Sequence, residues 1–160
     1  MYRKILLAVD GSPGSLAAAT TVGRLASLAH AEVLLVYCDE VLADISLPLA
    51  HRAAVARLVN ERLGPARDIL MDFAVRYVEM IVQGNPAVEL VRLAMSEHCD
   101  LVALGAHGDG PASGMQPGPV AQTVLELAPC TVLLVRPEVK IPGGYHSSCA
   151  GRGTAMVSNG

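Results

Sequence analysis

The stretch from Asp100 to Pro137, DLVALGAHGDGPASGMQPGPVAQTVLELAPCTVLLVRP, places five glycines, at positions 105, 108, 110, 114 and 118, between two apolar runs. Glycine in a connection costs conformational entropy, so such a segment needs either a turn that only glycine adopts or a ligand that approaches the backbone closely. The residues from Pro119 to Ala128 have a helical pattern. A glycine just before a helix lets a phosphate approach free N–H groups and the positive end of the helix dipole. The segment therefore predicts a phosphate-binding loop.

Short apolar runs alternate with helical segments along the whole chain. Continuous apolar runs are typical of strands buried on both faces of a parallel sheet. Between the first two runs, apolar residues recur at helical spacing, at Leu16, Ala19, Val22, Ala26 and Ala29. The predicted strands are Lys4–Val9, Glu32–Tyr37, Val78–Val82, Leu101–Gly105 and Thr131–Val135.

This β-α-β-α-β-α-β-α-β order predicts an α/β fold with a doubly wound, five-stranded parallel sheet and helices on both faces. Ligands of such sheets bind at the carboxyl ends of the strands, where the strand order reverses. VDGSPGS follows the first strand and the glycine loop follows the fourth. If these two strands are neighbours, the two loops face each other across one crevice.

A second long helix is predicted between Pro48 and Arg76. Gly64-Pro65 interrupts it, because proline lacks a backbone donor and disfavours a helical residue before it. We therefore expect one long helix in two pieces.

Composition limits the class of protein. With 160 residues, 52% of them hydrophobic, the chain fits one compact domain. A net charge of −3 gives no basic field, so neither nucleic acid nor an anionic membrane is expected as the main partner. No apolar stretch approaches the roughly 20 residues that span a bilayer, and MYRKILLAVDGS enters a strand pattern rather than a secretory signal. A cytoplasmic location is expected.

The cysteines and histidines give no metal motif. Cys38, Cys99, Cys130 and Cys149 are far apart in the sequence, without a CxxC pair, and are expected to be reduced thiols. Of the histidines, only His107 lies in a loop that could hold a ligand, and a metal site there lacks further ligands.

The periodic pattern stops after Pro137. The remaining residues, 138–160, are rich in glycine and serine and have no apolar period. The chain is therefore divided into a domain of residues 1–137 and a tail of residues 138–160, to which the sequence assigns no role.

The glycine loop matches neither standard nucleotide motif. A GxxxxGK[ST] sequence is missing, and no GxGxxG follows the first strand. Its spacing is Gly105, two residues, Gly108, nine residues and Gly118.

From about Tyr2 to Pro137 the sequence resembles the universal stress protein family, through the segments KILLAVDGS, QGNPAVEL, CDLVALGAHG and APCTVLLVRP. Members that bind ATP carry a G-x2-G-x9-G-[S/T] motif, which maps onto Gly105, Gly108 and Gly118. The resemblance implies an adenine-nucleotide α-hydrolase-like fold. It also implies a cytoplasmic stress-response protein that binds ATP, ADP or AMP, with or without magnesium.

Pro119 occupies the Ser/Thr position of this motif. Proline offers a phosphate neither a hydroxyl nor an N–H group. Losing one or two charge-assisted hydrogen bonds, at about 1.5–3 kcal/mol each, would weaken nucleotide binding by about tenfold to several hundredfold. Proline suits the first helical position, however, and Val120 and Ala121 keep their N–H groups. Weakened binding is therefore expected.

The resemblance assigns further nucleotide-binding residues to the ends of the strands. Ala8 and Asp10 end the first strand, where the family has an aspartate beside the nucleotide, although Asp-Gly-Ser-Pro is also a good turn by itself. Cys38, within one residue of register, corresponds to the main chain that bonds adenine. His107 falls at a variable position of the motif, where the alternative is an exposed loop histidine.

Three functions stay open. The first is nucleotide binding that acts through conformation or partners. The second, favoured by Pro119, is a nucleotide-free dimeric interaction protein of the same family. An enzyme of the wider group is disfavoured, because SGGxDS and HxGH elements are absent and the loop lacks the cation that phosphoryl transfer needs. At most weak ATP hydrolysis is expected.

The last strand is expected at the edge of the sheet. An unpaired apolar edge invites aggregation unless something covers it. Antiparallel pairing of two such edges about a two-fold axis would build a homodimer, and the resemblance points the same way. Its interface would bury Val132, Leu133, Leu134 and Val135.

Overall fold

The computed structural model describes residues 1–39, 49–108 and 116–137. The predicted tail, Cys149 and residues 109–115 of the glycine loop lie outside these ranges, so the division at residue 137 stays a prediction. The strands are β1 (Lys4–Ala8), β2 (Glu32–Asp39), β3 (Tyr77–Gln83), β4 (Leu101–Gly105) and β5 (Thr131–Val135). The helices are α1 (Pro13–Ala29), α2 (Leu49–Asp72), α3 (Pro86–Ser96) and α4 (Pro119–Leu127).

The five strands form one parallel sheet in the order β3-β2-β1-β4-β5. This confirms the predicted fold class and the edge position of the fifth strand. The first and fourth strands are neighbours, which is the condition under which their two loops face each other. The chain winds outward from β1 to β3 and then returns to β4 on the other side. The order therefore reverses between β1 and β4, where a doubly wound sheet opens a crevice.

The alternation of side chains along the strands builds a core on each face of the sheet. Ile5 and Leu7 pack on one face with residues of α1 and α2. Leu6 and Val36 pack on the other face with residues of α3 and α4. Because both faces are covered, the inner strands read as unbroken apolar runs rather than as alternating ones.

Helix α2 is continuous, so the prediction of two pieces was wrong. Pro65 lies inside the helix, on its exposed side. Gly64 precedes it and has no Cβ for the proline ring to clash with, which removes part of the usual restriction. An interior proline costs about 3 kcal/mol. Leu63 and Leu70, both fully buried, offset this at about 1.5–3 kcal/mol each.

Candidate functional site

A cavity of about 320 Å³ opens at the carboxyl ends of β1, β2 and β4. This volume is within the range of small-molecule sites. The sequence segments that line it are far apart in the chain. They meet because β1 lies between β2 and β4 in the sheet, so the carboxyl ends of the three strands are adjacent. All nine residues predicted for a nucleotide are lining residues: Ala8, Asp10, Cys38, Gly105, His107, Gly108, Gly118, Pro119 and Val120.

Three features stabilise the turn after β1: a hydrogen bond within it, a glycine conformation and an arginine from α2. Asp10 Oδ1 accepts a hydrogen bond from Ser12 N at 2.9 Å. Gly11 has φ +85°, a left-handed conformation that favours glycine, and a Cβ there would lie 2.6 Å from Arg62 Cδ. Arg62 Nη1, from α2, donates to the Asp10 carbonyl at 2.8 Å. The Asp10 carboxylate is therefore fixed, with Oδ2 2.9 Å from the point where a Cβ on Gly108 would sit.

The presence of glycine has a different explanation at each of the three motif positions. A Cβ on Gly105 would lie 2.7 Å from the backbone of Gly14, so this glycine lets the start of α1 pack against β4. A Cβ on Gly108 would press on the Asp10 carboxylate. At Gly118 a Cβ would lie no closer than 3.7 Å to a heavy atom of the described residues, and φ is −66°, which any residue adopts. The fold therefore requires glycine at the first site and leaves the third unexplained.

At the cavity, the start of α4 has main-chain donors for which the described part of the chain supplies no partner. Helices α1 and α3 each begin with a side chain that caps a backbone N–H, whereas α4 has no side-chain cap. Gly118 N donates to Ala106 O at 2.8 Å, and Pro119 has no N–H. The N–H groups of Val120 and Ala121 belong to the first turn, where helical carbonyl partners are missing. This arrangement suits an anion.

His107 joins the two described ends of the glycine loop. Its Nε2 lies 2.6 Å from the Gln116 carbonyl oxygen, which fits an Nε2–H donor. The residue is half-buried, so it differs from the exposed loop histidine considered as the alternative. His107 thereby fixes the segment that leads into α4.

The described cysteines are free thiols in apolar surroundings. Burial, with a smaller contribution from Glu89, raises the pKa of Cys38 to about 12. Burial likewise raises the pKa of Cys99 to about 11 and also raises that of Cys130. The thiolate is the reactive form of cysteine, so these side chains are poor nucleophiles near neutral pH. Cys38 instead lines the cavity as a small apolar group.

Residues 1–39, 49–108 and 116–137 contain no group of three His, Cys, Asp or Glu side chains that could hold a metal ion. Every helix in them is too short or too polar to cross a lipid bilayer.

Comparison with known proteins gives the family. The model of the universal stress protein family matches residues 1–136. The chain belongs to the universal stress protein family. A protein named "Universal stress protein in QAH/OAS sulfhydrylase 3'region", from Thermus aquaticus, is 32% identical over 137 residues, which cover 85% of this chain and 100% of that protein.

Solved structures extend the likeness of this universal stress protein to its fold. Hypothetical protein MJ0577 matches with a TM-score of 0.71 and 26% identity, over 88% of this chain and 99% of its own. A universal stress protein solved in complex with cAMP matches with a TM-score of 0.65 and 24% identity, over 86% of this chain and 98% of its own. The fold is the adenine-nucleotide α-hydrolase-like fold, as the resemblance implied.

Half of the lining residues of this universal stress protein were not predicted from the sequence. Four of these nine adjoin a predicted residue in the sequence, so their position next to it could have indicated them. Pro86 and Leu90 come from the start of α3, whose QGNPAVEL turn carried a signal of the family but no assigned role. Arg62 holds the Asp10 turn from 52 residues away, and no local pattern indicates it. The residues not predicted are Val9, Ser12, Ser15, Val36, Pro86, Leu90, Leu104, Ala106 and Ala121.

Proposed function

We propose that this universal stress protein binds an adenine nucleotide, such as ATP, ADP or AMP, in the cavity between β1 and β4. The observation that carries the proposal is Gly118, a cavity-lining glycine. Packing against the described residues does not require glycine there, whereas the close approach of a bound phosphate would. A relative of the same fold was solved with cAMP. At 24% identity that likeness concerns the fold, so the nucleotide is proposed here from the cavity of this chain.

One part of the cavity lining is apolar, and another part carries main-chain hydrogen-bond donors. Val36, Leu90 and Leu104 are buried apolar residues that suit the faces of a purine. The main chain of Cys38 lies beside them at the end of β2 and would bond the edge of the base. The phosphate would occupy the start of α4, near Val120. Because Pro119 adds no donor there, binding is expected to be weak.

The proposed role is signalling in a stress response through conformation or partners rather than through turnover. No lysine or arginine is among the described lining residues, and the Cys38 thiol is protonated, which supports binding over phosphoryl transfer or nucleophilic catalysis. Any magnesium ion would be held mainly by the phosphates, with help from Asp10, the carboxylate among the described lining residues. A cytoplasmic location is part of the same proposal.

A nucleotide-free dimeric interaction protein is the second candidate. Pro119 at the phosphate end favours it, as does the apolar edge of β5. The homodimer is also compatible with nucleotide binding, so only a binding measurement separates the two candidates.

The deciding experiment is isothermal titration calorimetry of nucleotide-stripped protein with ATP, ADP and AMP. Gly118→Asp is compared with Gly118→Asn. Both side chains fit the N-cap and its backbone angles, so the melting temperature should stay the same or rise. Only aspartate places a negative charge at the phosphate, so it should bind AMP at least tenfold more weakly than the asparagine variant.

AMP affinity that stays at the wild-type level in both variants would show that the phosphate does not bind at α4. No saturable heat from the wild type with millimolar ATP, ADP or AMP would favour the nucleotide-free candidate.

A further inference from the structure

Arg62 contacts the turn that carries Asp10, but it does so from outside the cavity. Its Nη1 donates to the Asp10 carbonyl oxygen at 2.8 Å, across 52 positions of sequence. Asp10 and Ser12, on either side of Gly11, are lining residues, whereas Arg62 is not. The arginine therefore acts on the wall of the cavity from its outer side, without occupying the space for a ligand.

The contact of Arg62 with Gly11 is equally close. Gly11 has φ +85°, and a Cβ on it would lie 2.6 Å from Arg62 Cδ. The stem of the arginine thus occupies the space that a side chain would need. Glycine has more accessible backbone conformations than any other residue, so a turn built on it needs outside contacts to hold one of them. Arg62 supplies such a contact.

The packing of α2 fixes the position of Arg62 in turn. Val59, Leu63 and Ala66 are buried in the core between α2 and the sheet. Arg62 follows Val59 by three residues and precedes Ala66 by four, so helical spacing places it along the edge of this buried face. It is half-buried. The position of the Asp10 turn therefore depends on that of α2.

The same turn leads into further residues of the cavity wall. Asp10 Oδ1 accepts a hydrogen bond from Ser12 N at 2.9 Å, and the Ser12 hydroxyl accepts one from Ser15 N at 3.2 Å, at the start of α1. Asp10, Ser12 and Ser15 all line the cavity. Because hydrogen bonds join these three residues, a displaced turn would disturb all of them together.

We propose that Arg62 is a positioning residue, which sets the affinity of the cavity for an adenine nucleotide by fixing the main chain of the Asp10 turn. The inference rests on the proposed function and adds a regulatory link to it. If the fixed turn binds the nucleotide more tightly, the nucleotide must in turn strengthen the contact between α2 and the turn. Helix α2 is then an element that responds to an occupied cavity.

The test is calorimetric titration of stripped protein with AMP, for the wild type, Arg62→Met and Arg62→Lys. Methionine keeps an unbranched stem and a similar helix propensity, but it has no donor. We expect Arg62→Met to bind AMP about tenfold more weakly, because it loses a charge-assisted hydrogen bond to the turn. Lysine keeps a donor, so Arg62→Lys should recover part of the loss.

Arg57→Met is the matched control, because Arg57 is an exposed residue of the same helix. It loses the same charge and should leave the AMP affinity unchanged. Salt separates positioning from attraction between charges. The ratio of wild-type to Arg62→Met affinity should be the same at low and at high salt, because salt screens charges at a distance and leaves the geometry of the turn unaltered.

Hydrogen exchange tests the link in the opposite direction. Saturating AMP should slow the exchange of the amides of α2 around Arg62 in the wild type, and not in Arg62→Met at equal saturation. Thermal unfolding shows whether each variant is folded. If Arg62→Met does not fold, Arg62→Lys takes its place and should still bind AMP more weakly than the wild type.

Equal AMP affinity in the wild type and Arg62→Met would overturn the inference while leaving the proposed function intact. An equal loss in Arg57→Met, or a loss that disappears at high salt, would also overturn it, because the arginine would then act only through its charge. A wild type that binds neither AMP, ADP nor ATP would contradict the proposed function itself.

Discussion

At the scale of single residues, Asp100 joins the start of β1 to the start of β4. Its Oδ2 accepts hydrogen bonds from Arg3 N at 2.6 Å and from Lys4 N at 2.9 Å. These backbone donors, Lys4 first and then Arg3, hold the pKa of the Asp100 carboxyl below its ordinary value. The ion pair of Lys4 Nζ with Glu97, at 2.5 Å, lies beside them. Asp100 thus stabilises the pairing of β1 with β4 at the amino ends of the strands, opposite the cavity.

Asp100→Asn should lower the free energy of unfolding by about 1 kcal/mol at pH 7, because asparagine can accept the same bonds without the charge, and solvent weakens the effect. A pKa that is lower in the folded state stabilises the fold above the unfolded pKa of about 3.9, and that stabilisation is lost as the pH falls through the folded pKa. Urea unfolding at pH 7 and in acid measures the difference, which should disappear in acid. A difference that does not depend on pH would indicate a packing defect instead.

The motif glycines show how far single residues could be interpreted from the sequence. Every residue that the G-x2-G-x9-G spacing assigned lines the cavity. The spacing could not separate Gly105, which the approach of Gly14 requires, from Gly118, which packing does not explain. That distinction depends on what lies opposite each Cβ, and those atoms come from another part of the chain.

At the scale of elements, α2 shows that a helix-breaking signal in the local sequence does not always end a helix. Gly64-Pro65 is a strong breaking signal by itself, yet buried leucines on either side keep one helix. The strands behaved differently. β4 and β5 begin and end where their apolar runs do, and the other strands differ from prediction by one or two residues at an end. A strand that is buried on both faces needs a continuous apolar run, which is visible in the local sequence. The packing that stabilises a strained helix involves residues far away in the sequence, so the local sequence does not show it.

Pro65→Ala should stabilise the protein, because alanine restores an N–H inside the helix and removes the clash of the proline ring with the preceding turn. Pro65 is exposed, so the change loses little packing. We expect a gain of about 1–3 kcal/mol, or about 2–4 °C in melting temperature for each kcal/mol. Pro13→Ala is the control, since proline is favourable at the first position of α1, and it should give no gain. Equal effects in the two variants, measured by thermal unfolding, would mean that Pro65 carries no strain.

At the scale of the whole molecule, the alternating pattern sufficed to predict the fold class. Five apolar runs with helical crossovers predict a doubly wound parallel sheet, whereas the pairing of β1 with β4 was only a condition for the two loops to face each other. The sequence could not predict that α2 would reach the β1 turn through Arg62. A helix on one face of the sheet therefore contacts the loop that carries Asp10.

The position of β5 at the edge of the described sheet leads to the prediction of a homodimer. The edge is apolar, and Val132, Leu133, Leu134 and Val135 are each only half-buried. Val135 O accepts from Ala106 N, so the main-chain groups of Val135 face inward. Those of Leu134 face the open edge, because successive residues of a strand point to opposite sides. Antiparallel pairing with a second copy would satisfy these groups and cover the apolar side chains.

Leu134→Pro should make the protein monomeric, because proline removes the outward N–H and is tolerated in an edge strand where that N–H faces solvent. Leu134→Ala is the matched control, since it loses the same side chain and keeps the N–H. Sedimentation at tens of micromolar should show a dimer for the wild type, a dimer of reduced affinity for the alanine variant and a monomer for the proline variant. Circular dichroism should show that all three stay folded.

Val135→Pro would instead break the pairing with β4, so its loss of structure would not report on the dimer. A wild type that sediments as a monomer would exclude this interface, and the apolar edge of β5 would then have to be covered from within the same chain.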